Sequence, residues 1–182
     1  MLVTPHITFK GKTYFFKKSL GLLLCSEDNG SDCVDCQHTD DYSFVANPYL
    51  LEKRQVTACT EVPGVGVKFY SRLLLFVCRY CYPLIFFIPK VVRPVYDNAG
   101  LANAVFYRLF PAEQQRKLCL PRALFTASLS KRFRTHGTLF IGAFLPTNRL
   151  HAWVIEDGMH ADVYDNQWIQ YTPVMEWQWK KK

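Results

Sequence analysis

Within the 182 residues, no apolar run is long enough to cross a bilayer as one helix. The most hydrophobic stretch, residues 73–89 (LLLFVCRYCYPLIFFIP), is interrupted by Arg79 and Pro83 and falls short of the roughly 20 residues a spanning helix needs. Stable membrane insertion is therefore not expected. Residues 1–9 lack the basic start and apolar centre of a secretory signal, so a cytoplasmic location is expected, with its seven cysteines reduced. There is no run of Lys and Arg interleaved with aromatics, the signature of a nucleic-acid groove, and no nucleic-acid partner is expected. Glycine is scarce, and the one close pair (Gly64 and Gly66 in VPGVGV) is too short for a phosphate loop and reads as a turn or linker. No internal repeat is visible. Charged residues make up only 20% and hydrophobic ones 49%, which excludes disordered and fibrous classes and leaves one domain, or a domain with an appendage.

The charge present is unevenly placed. The net charge is +7, yet residues 19–52 carry seven acids and no Lys or Arg, whereas residues 53–182 carry 18 basic and eight acidic side chains. A basic body favours anionic partners. The closing Lys180-Lys181-Lys182 reads as a solvated tail.

The organisation follows from punctuation and period. Residues 1–18 read as a β-hairpin turning at Gly11-Lys12, residues 20–25 as a brief helix, and the polar residues 26–43 as a loop. A boundary near 60–66 separates an N-terminal region (1–62) from the main domain (63–182). Helical periodicity covers 69–82, 98–109 and 120–134, the last with Pro121 in its first turn, where a missing N–H costs nothing. The pattern then changes to strands at 138–144, 150–156 and 161–164, with Asp157-Gly158 as a hairpin turn and 168–171 as an extension of the sheet. Helices followed by an antiparallel sheet make an α+β fold.

The chemistry-bearing residues stand at element ends. Cys119 precedes the Pro121 helix, where the dipole and unpaired N–H groups stabilise a thiolate and can hold an oxyanion; Arg122 and Lys117 add positive charge. His151 starts a strand beside Trp153, well held to act as the base for that thiol. A carboxylate would then orient the imidazole. A two-residue turn at Asp157-Gly158 brings Asp162 diagonal to His151, and a three-residue turn with a bulge brings Asp165 opposite it. The residue types alone leave both open, alongside the plain alternative of a buried Cys and a hydrogen-bonded core His.

Cys119-Leu120-Pro121-Arg122-Ala123-Leu124 resembles the Cys-Leu-x-Arg-[Ala/Ser]-Leu start of the nucleophile helix in lasso-peptide leader peptidases, the B proteins, which are transglutaminase-like cysteine peptidases. Leu139-Phe140-Ile141-Gly142-Ala143 is similar to that family's Leu-Val-Ile-Gly-Val strand, and His151-Ala152-Trp153-Val154 with Asp157-Gly158 to its His-Ala-Trp-Val-Glu-x-x-Gly segment. Val163-Tyr164-Asp165 falls where the family has an apolar run ending in the catalytic Asp. The likeness covers residues 115–170. Ile155 departs from it, standing where an acid is usual, with Glu156 one step later, and the gap from Gly158 to Asp165 is longer by about two residues.

The resemblance implies a transglutaminase-like, papain-like peptidase domain with Cys119 as nucleophile, His151 as base and Asp165 as orienting acid, Asp162 being the alternative. It implies removal of a leader from a ribosomally made precursor without cofactor or metal, alongside an asparagine-synthetase-like lasso cyclase, with residues 1–62 as a candidate leader-recognition unit. Two further readings compete: acyl transfer to an amine on the same residues, and a non-enzymatic peptide-binding adaptor whose zinc is held by the CxxC pairs Cys33/Cys36 and Cys78/Cys81, with His38 as a further candidate ligand. Cys25 and Cys59 read as core residues, and His6, His136 and His160 as surface or cap residues.

Overall fold

The computed structural model describes residues 6–9, 12–17, 22–27, 62–85, 87–115, 117–144, 149–165 and 167–179. Near the N-terminus, β1 (His6–Phe9), β2 (Lys12–Lys17) and β3 (Leu22–Glu27) form an antiparallel sheet in that order. Phe9 pairs with Lys12, so Lys12 belongs to the strand and not to the turn to which the sequence pattern assigns it. Of the brief helix expected at 20–25, residues 22–25 belong instead to β3, in register with β2 from Lys17↔Leu22 to Lys12↔Glu27, and residues 20 and 21 lie outside the described residues. Leucine favours helix only weakly, and cross-strand pairing overrides it. Apart from these strands, residues 1–61 lie outside the described residues, including the acidic loop and Cys33, Cys36 and His38.

The main body begins with α1 (Val65–Tyr80), capped by Gly64. Val65, Gly66 and Val67 are therefore helical rather than linker. The apolar run 73–89 breaks after Tyr80 into a 3₁₀ turn at Tyr82–Leu84 and the short α2 (Ile88–Val91), with Pro83 and Pro89 each near an element start. No helix among the described residues is long and apolar enough to cross a membrane. α3 (Ala99–Leu109) is capped by the Asn98 side chain, which accepts from Leu101 N–H at 3.0 Å. A single turn, α4 (Ala112–Gln115), leads to α5 (Cys119–Leu129). The helix expected at 120–134 ends at Leu129, because Ser130 bridges Tyr96 and the Leu129 carbonyl accepts from Val95 and Tyr96 N–H; α6 (Phe133–His136) follows separately.

Four strands complete the body: β4 (Gly137–Phe144), β5 (Arg149–Glu156), β6 (Met159–His160) and β7 (Thr172–Gln178), in the order β6-β5-β4-β7, all antiparallel. The described chain is thus α+β. Two strand assignments differ from the sequence pattern. The third strand stops at His160 instead of covering 161–164, and residues 168–170 form a 3₁₀ turn while β7 lies further on, entering the sheet across an irregularity opposite Ile141 and Gly142. Pro173 in β7 masks that strand in the sequence, since proline fits only edges and irregularities.

Helix α5 is buried along most of its length, between α1, α2 and α3 on one side and β4 and β5 on the other. Leu74 and Val77, Val105 and Phe106, Leu124 and Phe125, Leu139 and Ile141, Val154 and Val174 form the main core. A second cluster comprises Phe140, Trp153, Ile155, Trp168 and Tyr171. Alternation along β4 and β5 sends successive side chains to the two clusters. Gly142 is required here, because a Cβ would come within 2.6 Å of the Trp153 ring.

Candidate functional site

Cys119 is the first residue of α5. Its N-cap, Leu118, offers no side-chain cap, so the first-turn N–H groups remain for a sulfur or an oxyanion. Pro121, third in the helix, has no N–H to satisfy. His151 is the third residue of β5 and buried, its ring held between Trp153 (centroids 6.1 Å apart) and Tyr171 (4.9 Å). The shortness of β6 matters here. It pairs only with Ile155 and Glu156, and no other described strand covers that edge of β5. Along this edge the Ala152 N–H lies close enough to the Cys119 sulfur to favour its thiolate, and the Val154 carbonyl accepts from Ala161 N–H at 2.9 Å.

The Cys119 thiol and the His151 imidazole lie close enough to shift each other's ionisation. His151 Nε2 lies 2.5 Å from Asp165 Oδ2, which leaves Nδ1 for the sulfur. The other Asp165 oxygen accepts from Gln167 N–H at 3.0 Å. Of the two aspartates weighed from the sequence, Asp165 is the one on the ring. It arrives by neither of the expected registers. The hairpin has the two-residue turn, with Glu156 paired to Met159 and positive φ at Asp157 (53°) and Gly158 (74°). By strand register alone that turn favours Asp162. The strand ends at His160, however, and a tight turn from Asp162 to Asp165 swings the later carboxylate onto His151, with Asp165 N–H directed at the Asp162 carbonyl at 3.4 Å.

Asp162 has a different set of partners. Arg122 Nε lies 3.0 Å from its Oδ2, the Tyr107 hydroxyl donates to both its oxygens (3.1 and 2.9 Å), and its Oδ1 accepts from Tyr164 N–H at 3.0 Å. Glu156, standing near the position where the resembled family has an acid, is fully buried and accepts from Ala99 N–H at the start of α3 and from Ser130 Oγ; it joins α3 to the sheet. His160 is buried rather than at the surface, with Nδ1 2.9 Å from the Asp162 carbonyl and its ring stacked on Trp168. Reasoning from the sequence misses Tyr107, Tyr171 and this use of Asp162. Only Arg122, one helical turn beyond Cys119, gives a signal, and in the sequence it reads simply as positive charge.

The electrostatics pull in one direction. Burial raises the Cys119 thiol, but the His151 hydrogen bond and charge, the Ala152 N–H and the Arg122 charge outweigh it, and the pKa falls below the ordinary value. Burial lowers His151, yet hydrogen bonds to Asp165 and Cys119 raise it to about 9. Burial opposes ionisation of Asp165, while His151 and the His160 charge hold its carboxyl down to about 2. A depressed thiol facing an elevated imidazole shifts the pair toward thiolate beside imidazolium. Lys117 is exposed and is not among the groups acting on the sulfur.

Cys78 shows the contrast. Burial, then the nearby Cys119, push its thiol up to about 12, so it is a neutral packing group. Among the described residues, no group of three or more His, Cys, Asp or Glu side chains could hold a metal ion. The four-cysteine site cannot be assembled from described residues, since Cys33 and Cys36 lie outside them. Comparison with protein-family models, curated proteins and solved structures finds no match to this chain.

Proposed function

We propose that the protein is a cysteine peptidase that removes the leader from a ribosomally made lasso-peptide precursor, with a transglutaminase-like, papain-like catalytic domain. The observation that supports the reading is the 2.5 Å contact of His151 Nε2 with Asp165, with Cys119 acting on the same ring and its sulfur at an uncapped helix start. The substrate class rests on the sequence resemblance over residues 115–170. The setting implied is the cytoplasm, beside an asparagine-synthetase-like cyclase.

In this mechanism the Cys119 thiolate attacks the scissile carbonyl carbon, forming a C–S bond while the carbonyl electrons move to oxygen. First-turn N–H groups of α5 face that oxyanion. Imidazolium His151 gives its proton to the leaving amine as the C–N bond breaks, leaving a thioester. Neutral His151 then takes a proton from water, whose oxygen attacks the thioester; collapse expels Cys119 thiolate and restores imidazolium. Asp165 holds the ring orientation and its charge throughout.

Incubation with a precursor peptide tests this directly. Two fragments that together carry one added water support hydrolysis. An amide product instead indicates acyl transfer to an amine, and an intact precursor with the folded protein overturns the reading.

A further inference from the structure

Among the described residues, a largely buried polar cluster beside Cys119, His151 and Asp165 joins three elements. Arg122 and Asp162 are 6% and 5% exposed. Besides the 3.0 Å ion pair, Arg122 Nη1 donates to the Tyr107 hydroxyl at 2.9 Å, and its guanidinium lies over the Tyr107 ring, 5.2 Å from the centroid. The Tyr107 hydroxyl directs its own proton to the Asp162 carboxylate. A buried ion pair offsets its desolvation only when geometry is good and further hydrogen bonds support it, and here Arg122 Nη1 and both Asp162 oxygens have additional partners. Arg122 belongs to the helix that starts at Cys119, and Asp162 opens the turn that ends at Asp165. The Asp162 carboxylate caps that turn through Tyr164 N–H, and its carbonyl receives Asp165 N–H.

We propose that Arg122 and Asp162 are positioning residues: their ion pair, bridged by Tyr107, ties the turn carrying Asp165 to the helix carrying Cys119, so that carboxylate and sulfur meet the two nitrogens of His151 together. The arginine fork supplies direction as well as charge, because two of its nitrogens are committed to separate partners. Without that tie the turn is free to relax, and Asp165 no longer lies in line with Nε2. The inference rests on reading Cys119 and His151 as a thiolate–imidazolium pair, but not on the precursor as substrate.

The test is the pH dependence of Cys119 alkylation by iodoacetamide, read at the Cys119 peptide by mass spectrometry so that Cys78 and Cys81 do not interfere. The groups around the pair are His160 on β6, Asp165 after β6, Arg122 on α5, Cys78 on α1 and Tyr171 before β7, with Arg149 on β5 acting on Tyr171. Arg122→Lys keeps the charge and loses the fork. It should move the onset of alkylation upward by about one pH unit, which is about a tenfold slower reaction below the onset. Asp162→Asn should move it in the same direction, as should Asp165→Asn. Through-space electrostatics alone give the opposite sign for Asp162→Asn, since removing a negative charge favours the thiolate. An onset that is unmoved or lower in folded Arg122→Lys and Asp162→Asn overturns the proposal. If either variant fails to fold, Tyr107→Phe decides, because it removes only the bridging hydroxyl: a smaller upward shift supports the tie, and no shift refutes it. Cleavage is a separate arm. A wild-type protein that alkylates as described but leaves precursor intact defeats the peptidase reading and not this one.

Discussion

Helices α1 and α5 are both rich in apolar residues, yet they are used differently. Helix α5 is buried at every position from Pro121 to Leu129 and meets water only near its first turn, where Cys119 stands. Helix α1 buries Tyr70, Ser71, Leu74 and Val77 and exposes Phe69 and Phe76 on its other side, at 69% and 54%. A helix buried on every side belongs in the centre of a fold, and its end is then where it meets water. The rigidity of α5 comes from its surroundings: Phe125 stacks on Tyr70 and meets Phe106 edge-on, with centroids 6.0 and 5.2 Å apart. That packing fixes where the sulfur sits relative to β5.

The sharpest test of the contrast separates the end of α5 from its middle. Cys119→Ala removes the nucleophile at the open end. Precursor cleavage should fall to background, by more than about 10³-fold, while the melting temperature stays within a few degrees of wild type. Residual cleavage at the normal rate in a folded variant would remove Cys119 from the mechanism. Phe125→Ala does the reverse. It leaves every polar group in place and should destabilise the fold by about 3–5 kcal/mol in urea unfolding. A loss below about 1 kcal/mol would mean that α5 is not packed on both sides as described.

Both ends of α3, β4 and β5 and the start of α5 are readable from the sequence within a residue or two, because each carries a local signal: Asn98 as cap, Pro121 in a first turn, and period-two alternation leading to Asp157-Gly158. Cys119 and His151 stand at such ends and are legible for that reason. The aspartate is not derivable from register. Strand pairing at Glu156 and Met159 points to Asp162, and only the premature end of β6 at His160 brings Asp165 onto the ring. Chain departures of that kind depend on non-local partners, here Arg122 and Tyr107, which strand periodicity does not encode. Leu22–Glu27 and Thr172–Gln178 escape the sequence pattern for related reasons: leucines carry little strand signal, and a proline hides a strand that tolerates it at an irregularity.

A third prediction concerns pH at the displayed end. The raised pKa of His151 means that the folded state stabilises imidazolium. That contribution is complete below the ordinary value of 6.5 and is lost as pH rises through about 9. An NMR titration of the His151 ring should therefore show its transition near 9 in wild type and at a distinctly lower pH in Asp165→Asn, which loses the carboxylate charge. Cleavage by Asp165→Asn should retain on the order of 1% of wild-type kcat/KM, since the acid orients the ring and does not react. A wild-type transition at the ordinary 6.5 or below would show that the ring has no such partner.

The smallest expected effect lies on the outer face of α1. Phe69 presents most of its ring to water, so truncating it removes little buried area; the transfer term, roughly 25 cal/mol per Å², applies only to surface withdrawn from solvent. Alanine also has the higher helix propensity, which offsets the little packing that the ring supplies. Phe69→Ala should therefore change unfolding free energy by no more than about 0.5 kcal/mol, against several for Phe125→Ala. Tyr70→Ala, one position along on the same helix, is the internal control. Its ring is buried against Phe125 and its loss should be felt, so that neighbouring substitutions give opposite answers. If Phe69→Ala instead costs as much as Tyr70→Ala, the outer face of α1 is covered in solution, and the contrast between the two helices disappears.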